Sequence, residues 1–447
     1  MKIVLLSYYF APGNIIGAVR FTKLSKYFQQ LGCDVTAYCG NENRWLFLDT
    51  QVKHDEILQR DIENLQICSV SHSQLYQYLA SKIKISINKN SVEVTDSRNV
   101  SQFLLLKNAL KRVLKKNIML FLSLIQDVDF TVSIFSSKAF REDIKAADCI
   151  ITTYGPYSPH IIGLILKVFR SKVQWVADFR DPIHQPSDPV LVAQFHRFLE
   201  WAVCRYADKL VCVSSGYLDS VVAPKYRYKS EIITNGFDAA DLDSLISEKE
   251  SNLIESDKFL ISYTGTTYAG RRDLSPLLEV LNKLIEKRVI LVDKIEFHYA
   301  GPESVYISGL FDRFGLNSIL VNHGMVPRKQ ALSINKASDI TIVATWDDEG
   351  HRGVLPGKLY ELMMFNAAVL AMVSTDIGNS EISKILANSV KGLCFESNQQ
   401  DAIQQLEDFV LVTYEASLNN SGSEVAGSFD SFSYPEIAKQ YLSFIKN

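Results

Sequence analysis

Seven cysteines, at positions 33, 39, 68, 149, 204, 212 and 394, are spread over 447 residues without a C-x-x-C pair. They are too sparse to staple a chain of this size, so reduced thiols in a cytosolic protein are the expectation. Long apolar runs are missing as well. No stretch approaches the ~18 to 20 residues of a membrane-spanning helix, and the opening MKIVLLSYYFAPG breaks at Tyr8, Tyr9 and Pro12, too early for a signal peptide. Neither charge sign dominates: 47 Lys and Arg stand against 50 Asp and Glu, a net of -3, which argues against nucleic acid as a partner and makes any basic surface local. The eight histidines show no H-x-x-x-H or Cys/His cluster, and neither a metal nor another cofactor is expected. The pairs Asp127-Val-Asp129 and Asp241-Leu-Asp243 follow no strand directly, and Asp347-Asp348-Glu349 reads as a solvated loop.

What is present is ordinary globular composition, 47% apolar and 22% charged, in a chain long enough for two or three domains. Short β-rich runs alternate with helical patterns, the mark of an α/β fold with parallel sheets. In the first half, strands are expected at 3–7, 34–38, 149–153, 173–178, 209–214 and 231–234; in the second, at 259–264, 295–300, 319–323, 340–344 and 369–373. This gives two tandem Rossmann-like domains, 1–236 and 237–432, joined at the turn-forming Asn235-Gly236-Phe237-Asp238. A loop rich in Ser, Asn and Gly over 417–431 precedes a last helix within 433–447, with Ser433 as its expected N-cap. Residues 102–125 interleave Lys107, Lys111, Arg112, Lys115 and Lys116 with leucines; this is the pattern of an interfacial helix on an anionic membrane, and equally of a core helix with solvated lysines.

Sheets of this kind bind ligands at the carboxyl ends of their strands. After the first strand, Gly17 and Arg20 open a helix, where a glycine admits a ligand to the backbone and the helix end suits an anion; a plain turn glycine is the alternative. Ser158 and Pro159 read as N-cap and N1 of another helix, placing His160 in its first turn, where a neutral imidazole could meet a sugar hydroxyl or serve structure alone. Asp178 and Asp181 flank Arg180 past a buried strand. Asp178, ending the strand, is expected to face the ligand and act in the chemistry, while Asp181 is expected to hold the loop. Gly265, Thr266, Arg271 and Arg272 make a diphosphate cradle or a solvated turn. Lys358 sits at a helix start, which the helix dipole disfavours unless an anion is bound there, and Glu361 one turn inside could accept from a ribose diol.

The chain resembles retaining glycosyltransferases of the GT-B fold, in the family 4-like group, over nearly its full length. Tyr8-Tyr9-Phe10-Ala11-Pro12 with Gly17-Ala18-Val19-Arg20, Ala177 to Pro182, Ala207-Asp208-Lys209, Asn235 to Asp238, Tyr263-Thr264-Gly265 and Leu355 to Glu361 carry the resemblance. It implies a nucleotide-sugar donor held mainly by the C-terminal domain, an acceptor held by the N-terminal one, and a last helix that crosses back onto the N-terminal domain. By position, Arg271 or Arg272 with Lys358 would hold the diphosphate, Glu361 the ribose, and His160 and Gly17 the donor sugar or its phosphate. The pattern departs at Gly353, where many relatives carry the first of two glutamates.

The expected function is therefore sugar transfer from a nucleoside-diphosphate sugar to a hydroxyl of a glycan or lipid-linked acceptor, with retention, in surface polysaccharide or glycolipid synthesis. The expected location is the cytoplasm, peripherally on the inner face of the membrane. A non-catalytic nucleotide-sugar binder and a non-hydrolysing nucleotide-sugar epimerase are the alternatives.

Overall fold

The structure, a computed structural model, describes residues 1–13, 15–41, 54–78, 123–169, 172–186, 188–242, 257–348, 352–387, 392–419 and 429–447. It contains two parallel sheets. The first has seven strands: β1 Lys2–Leu6, β2 Asp34–Gly40, β3 Gln66–Val70, β4 Cys149–Thr153, β5 Gln174–Phe179, β6 Lys209–Cys212 and β7 Ser230–Ile232, in the order β3-β2-β1-β4-β5-β6-β7. The second has six: β8 Phe259–Thr264, β9 Ile295–Ala300, β10 Leu320–Gly324, β11 Ile340–Trp346, β12 Ala368–Ser374 and β13 Gly392–Glu396, in the order β10-β9-β8-β11-β12-β13. Each is a Rossmann-like arrangement whose strand order reverses at one point, between β1 and β4 and between β8 and β11. Ligands of such sheets bind beyond the carboxyl ends of the strands at that reversal.

Burial explains which strands are legible in the sequence. Ile3 to Leu6 and Cys149 to Ile151 are buried on both faces and read as unbroken apolar runs. β3 and β13 are edge strands with half-exposed residues, QICSV and GLCFE, and carry no such run, so the sequence pattern passes over both. The helix Ala402–Leu418 is carried to its last turns by Tyr414, which packs edge-on against Phe259 in the second core. Of the basic segment 102–125, only 123–125 lie among the described residues, at the start of a helix over 123–136.

The chain divides into two compact units, one of Met1–His184, Pro189–Val211 and Lys225–Ser230, the other of Gln185–Asp188, Cys212–Pro224 and Glu231–Asn447. In the second unit the C-terminal helix Tyr434–Lys446 seats on the segment that joins the two sheets. Tyr434 N–H donates to the Phe237 carbonyl at 2.8 Å, and Gly236 leaves the room that Ile437 occupies. Ser433 stands at the N-cap but makes no side-chain capping bond.

Candidate active site

In the first unit the reversal point is bordered by Tyr8 and Tyr9 after β1, by residues 154–157 after β4, and by Arg180 after β5. Arg180 ties these loops together. Its guanidinium donates to the carbonyls of Gly17 and Gly155, and a Cβ on Gly17 would lie 2.6 Å from Arg180 Nη1. Gly17 is thus a glycine because a guanidinium rests on it, which corrects the expectation that a ligand fills that space.

Arg20 and Asp178 are corrected together. Arg20 Nη2 meets Asp178 Oδ2 at 2.9 Å with both side chains buried, so the pair bolts the helix Ile16–Gln30 to the end of β5 and turns neither group toward a ligand. Asp181 is the exposed member, its side chain 55% accessible against 0% for Asp178, and it stands 3.9 Å from Arg180 Nε. The exposure expected from sequence is the opposite of that observed: the strand-end carboxylate is the buried, paired one.

His160 lies in the first turn of the helix Ser158–Val168 and is wholly buried. Burial pulls its imidazole down to about 3, so the ring is neutral at any working pH. Its Nδ1 lies 2.8 Å from Thr152 Oγ1, which also accepts the Trp175 indole N–H at 2.8 Å. An indole can only donate, so Thr152 Oγ1 accepts there and still has a hydrogen and a second lone pair with which to meet His160 Nδ1. The His160 Nε2 has no partner among the described residues.

The N-cap of this helix is Tyr157 rather than Ser158, and the capping carboxylate comes from elsewhere. Asp127, on the helix 123–136, accepts the Ser158 N–H at 2.8 Å. Burial pushes its carboxyl up to about 7, against the pull of Ser158. Asp127 follows no strand, so the sequence does not mark it; only the tertiary approach of its helix brings it to Ser158.

In the second unit the reversal point gathers cations. Lys358, at the start of the short helix Gly357–Leu362, donates to the backbone oxygen and, at 2.8 Å, to Oγ1 of Thr264 at the end of β8. Burial draws its ammonium below the usual lysine range; the nearby Glu361 opposes this, while Arg272 and Arg328 add to it. Arg272 donates to the Thr266 carbonyl at 3.0 Å. Arg328, which sequence reasoning missed, opens the helix Arg328–Ala337 and reaches Glu361 Oε1 at 2.6 Å. Its position directly after Pro327 at a helix start is the same signal that singles out Lys358. A Cβ on Gly265 would meet the Tyr263 ring end and, at 3.9 Å, Lys358 Nζ, in ordinary van der Waals contact.

Two expectations for this loop change. Arg271 leaves the cluster: it stacks on Trp346 at 4.1 Å and pairs with Asp348 at 3.0 Å, so Asp348 is engaged rather than simply solvated. The backbone cradle is also already filled. Tyr268, Ala269 and Gly270 all have positive φ, which turns successive amides inward, and the Glu303 carboxylate takes the N–H groups of Thr267 and Ala269 and the Thr267 hydroxyl. Those bonds hold the Glu303 carboxyl below its usual range although burial pushes the other way. Glu361 gives one oxygen to Arg328, so it is a partner within the cationic cluster before it is a partner for any ribose. Glu349 lies outside the described residues.

No protein-family model matches the sequence, and no curated protein matches it. The fold does match solved structures. Sucrose-phosphate synthase from Thermosynechococcus elongatus superposes with a TM-score of 0.58 at 13% identity, over 100% of this chain and 98% of that one. A UDP-forming α,α-trehalose-phosphate synthase from Burkholderia xenovorans gives 0.57 at 10%, over 100% and 98%. WaaG, a glycosyltransferase involved in lipopolysaccharide biosynthesis, gives 0.51 at 12%, over 99% of each chain. The architecture is the two-domain GT-B fold expected from the resemblance.

Proposed function

We propose that the protein transfers a sugar from a nucleoside-diphosphate sugar to a hydroxyl of a glycan or lipid-linked acceptor. The observation that carries this reading is the gathering of Arg272, Lys358 and Arg328 around Thr264 and Glu361 at the strand reversal of the second sheet. Three cations stand against two carboxylates, Glu361 and, 3.5 Å from Arg328, Asp241, so the site is short of negative charge, and a diphosphate supplies it. The similarity to sugar transferases in fold supports the same reading without specifying it.

The chemistry follows from where charge develops. As the bond from the sugar's anomeric carbon to the diphosphate oxygen breaks, negative charge grows on the diphosphate, where Lys358 and Arg272 stabilise it electrostatically. With retention, the acceptor oxygen bonds to that carbon on the face the leaving group vacates, and its proton passes to the departing diphosphate oxygen. No enzyme nucleophile and no metal ion is needed in this scheme. His160, neutral and with Nε2 unpartnered among the described residues, would hydrogen-bond a hydroxyl of the donor sugar. A lipid-linked acceptor would place the protein peripherally on the cytoplasmic face of a membrane, in surface polysaccharide or glycolipid assembly.

The test is release of nucleoside diphosphate from a panel of nucleotide sugars, with and without lipid-linked and glycan acceptors, in excess EDTA. Acceptor-dependent release is expected for one donor. Binding without turnover would favour a non-catalytic binder, and interconversion of the donor sugar would favour an epimerase.

A further inference from the structure

The helix Val190–Tyr206 is apolar on both sides. Its inner side, including Ala193, Leu199, Ala202 and Val203, is buried in the first unit. Its outer side carries Val190, Leu191, Phe195, Phe198, Trp201 and Tyr206, all exposed, with Leu191 at 80%, Phe198 at 59% and Trp201 at 45%. Leu191, Phe195, Phe198 and Trp201 recur at steps of three and four and so form one stripe. A helix apolar all round belongs inside a core or against something else.

The charges on this face have one sign. Arg197 and Arg205 are exposed, and the helix's one acidic residue, Glu200, is buried, accepting the His184 N–H at 2.8 Å. The basic and aromatic turn Lys225–Lys229 continues the surface: Lys229 Nζ donates to the carbonyls of Arg205 and Ala207 and holds the turn to the helix end, while Tyr228 stands 84% exposed beside Lys225 and Arg227. Two exposed acids border the surface along the chain: Asp208, paired with Lys167 at 2.5 Å, and Glu231, which accepts from Gln440 at 3.5 Å.

We propose that this face, the outer side of Val190–Tyr206 with the turn Lys225–Lys229, is where the protein rests on an anionic lipid bilayer. Aliphatic and aromatic side chains enter the acyl boundary, Trp201, Tyr206 and Tyr228 sit at headgroup level, and the arginines and lysines meet lipid phosphates. The charge pattern favours lipid over a second copy of the chain, since a two-fold contact across this face would set Arg197, Arg205, Lys225 and Arg227 against one another, while the acids at its border, Asp208 and Glu231, already have partners. An oligonucleotide would use the rings and cations but not Val190 and Leu191. The proposal rests on the transfer reading only in making the bilayer the place of a lipid-linked acceptor.

The test is cosedimentation of the full-length chain, without donor, on phosphatidylcholine vesicles and on vesicles that also contain phosphatidylglycerol. Binding only to the anionic vesicles, weakened by salt, is expected. The double variants Phe198→Ser/Trp201→Ser and Arg197→Glu/Arg205→Glu should each weaken it by roughly tenfold or more at unchanged melting temperature. The blue shift of tryptophan emission on vesicles should vanish in Trp201→Phe. Turnover of a water-soluble acceptor by the double variants should match wild type, which separates this proposal from the transfer reading. Unchanged vesicle binding in both double variants would overturn the proposal. So would a dimer that dissociates in them, or preferential binding of an oligonucleotide.

Discussion

Replacing Asp178 by Asn removes one charge of a pair in which neither side chain is more than 3% exposed. Arg20 then keeps a guanidinium in the interior without its counter-ion at 2.9 Å. Breaking a buried pair from one side costs ~3 to 5 kcal/mol, most of it the uncompensated charge. For a unit of this size, ~2 to 4 °C of melting temperature per kcal/mol gives a fall of roughly 6 to 20 °C. Asp181→Asn changes an exposed carboxylate 3.9 Å from its cationic neighbour and should stay within about 0.5 kcal/mol of wild type. The double variant Arg20→Gln/Asp178→Asn exchanges the ion pair for two neutral amides and should recover much of the loss, since replacing both partners of a buried pair costs far less than removing one. Calorimetry on wild type, both singles and the double measures the coupling directly. If Asp178→Asn melts with wild type yet loses turnover, Asp178 is chemistry rather than scaffold and the reasoning fails.

Lys358→Ala and Arg272→Ala should each remove ~2 to 4 kcal/mol of transition-state stabilisation, read as kcat/KM, whereas Arg271→Ala, tied to Trp346 and Asp348, should cost much less; equal losses at 271 and 272 would contradict the geometry. His160, with its folded pKa lowered to about 3, contributes stability that is complete above ~6.5 and lost as pH falls, so His160→Phe should steepen less on acidification than wild type, by up to ~1.4 kcal/mol per pH unit, in urea melts. Asp127, raised to about 7, has the opposite sign: its burial destabilises progressively as pH rises from ~4 to 7, so Asp127→Asn should gain on wild type across that window, and a constant difference would place the raised pKa in doubt.

How much of this was legible depends on range. Lys358 could be found because its conflict with the helix dipole is local, and the same local conflict at Arg328 was available and overlooked. Arg20 and Asp178 were both singled out, but their pairing spans 158 positions, and no spacing rule connects them; without it, a carboxylate ending a strand reads as facing ligand. Asp127 reaches Ser158 across 31 residues in the same way. In the cradle after β8, glycines and threonines correctly announced inward-turned amides, yet the anion that fills them is Glu303, from the loop after β9. The fold was more legible than the site because doubly buried strands write themselves as apolar runs, while edge strands β3 and β13 do not.

The claim that the cations of the second sheet hold a diphosphate is tested most directly by titration calorimetry of the chain with nucleoside diphosphate and with the matching nucleoside. The diphosphate should bind and the nucleoside far more weakly, and Lys358→Ala should bring the two affinities close together. Equal affinities in wild type, or a preference for the diphosphate that survives in both Lys358→Ala and Arg272→Ala, would contradict it.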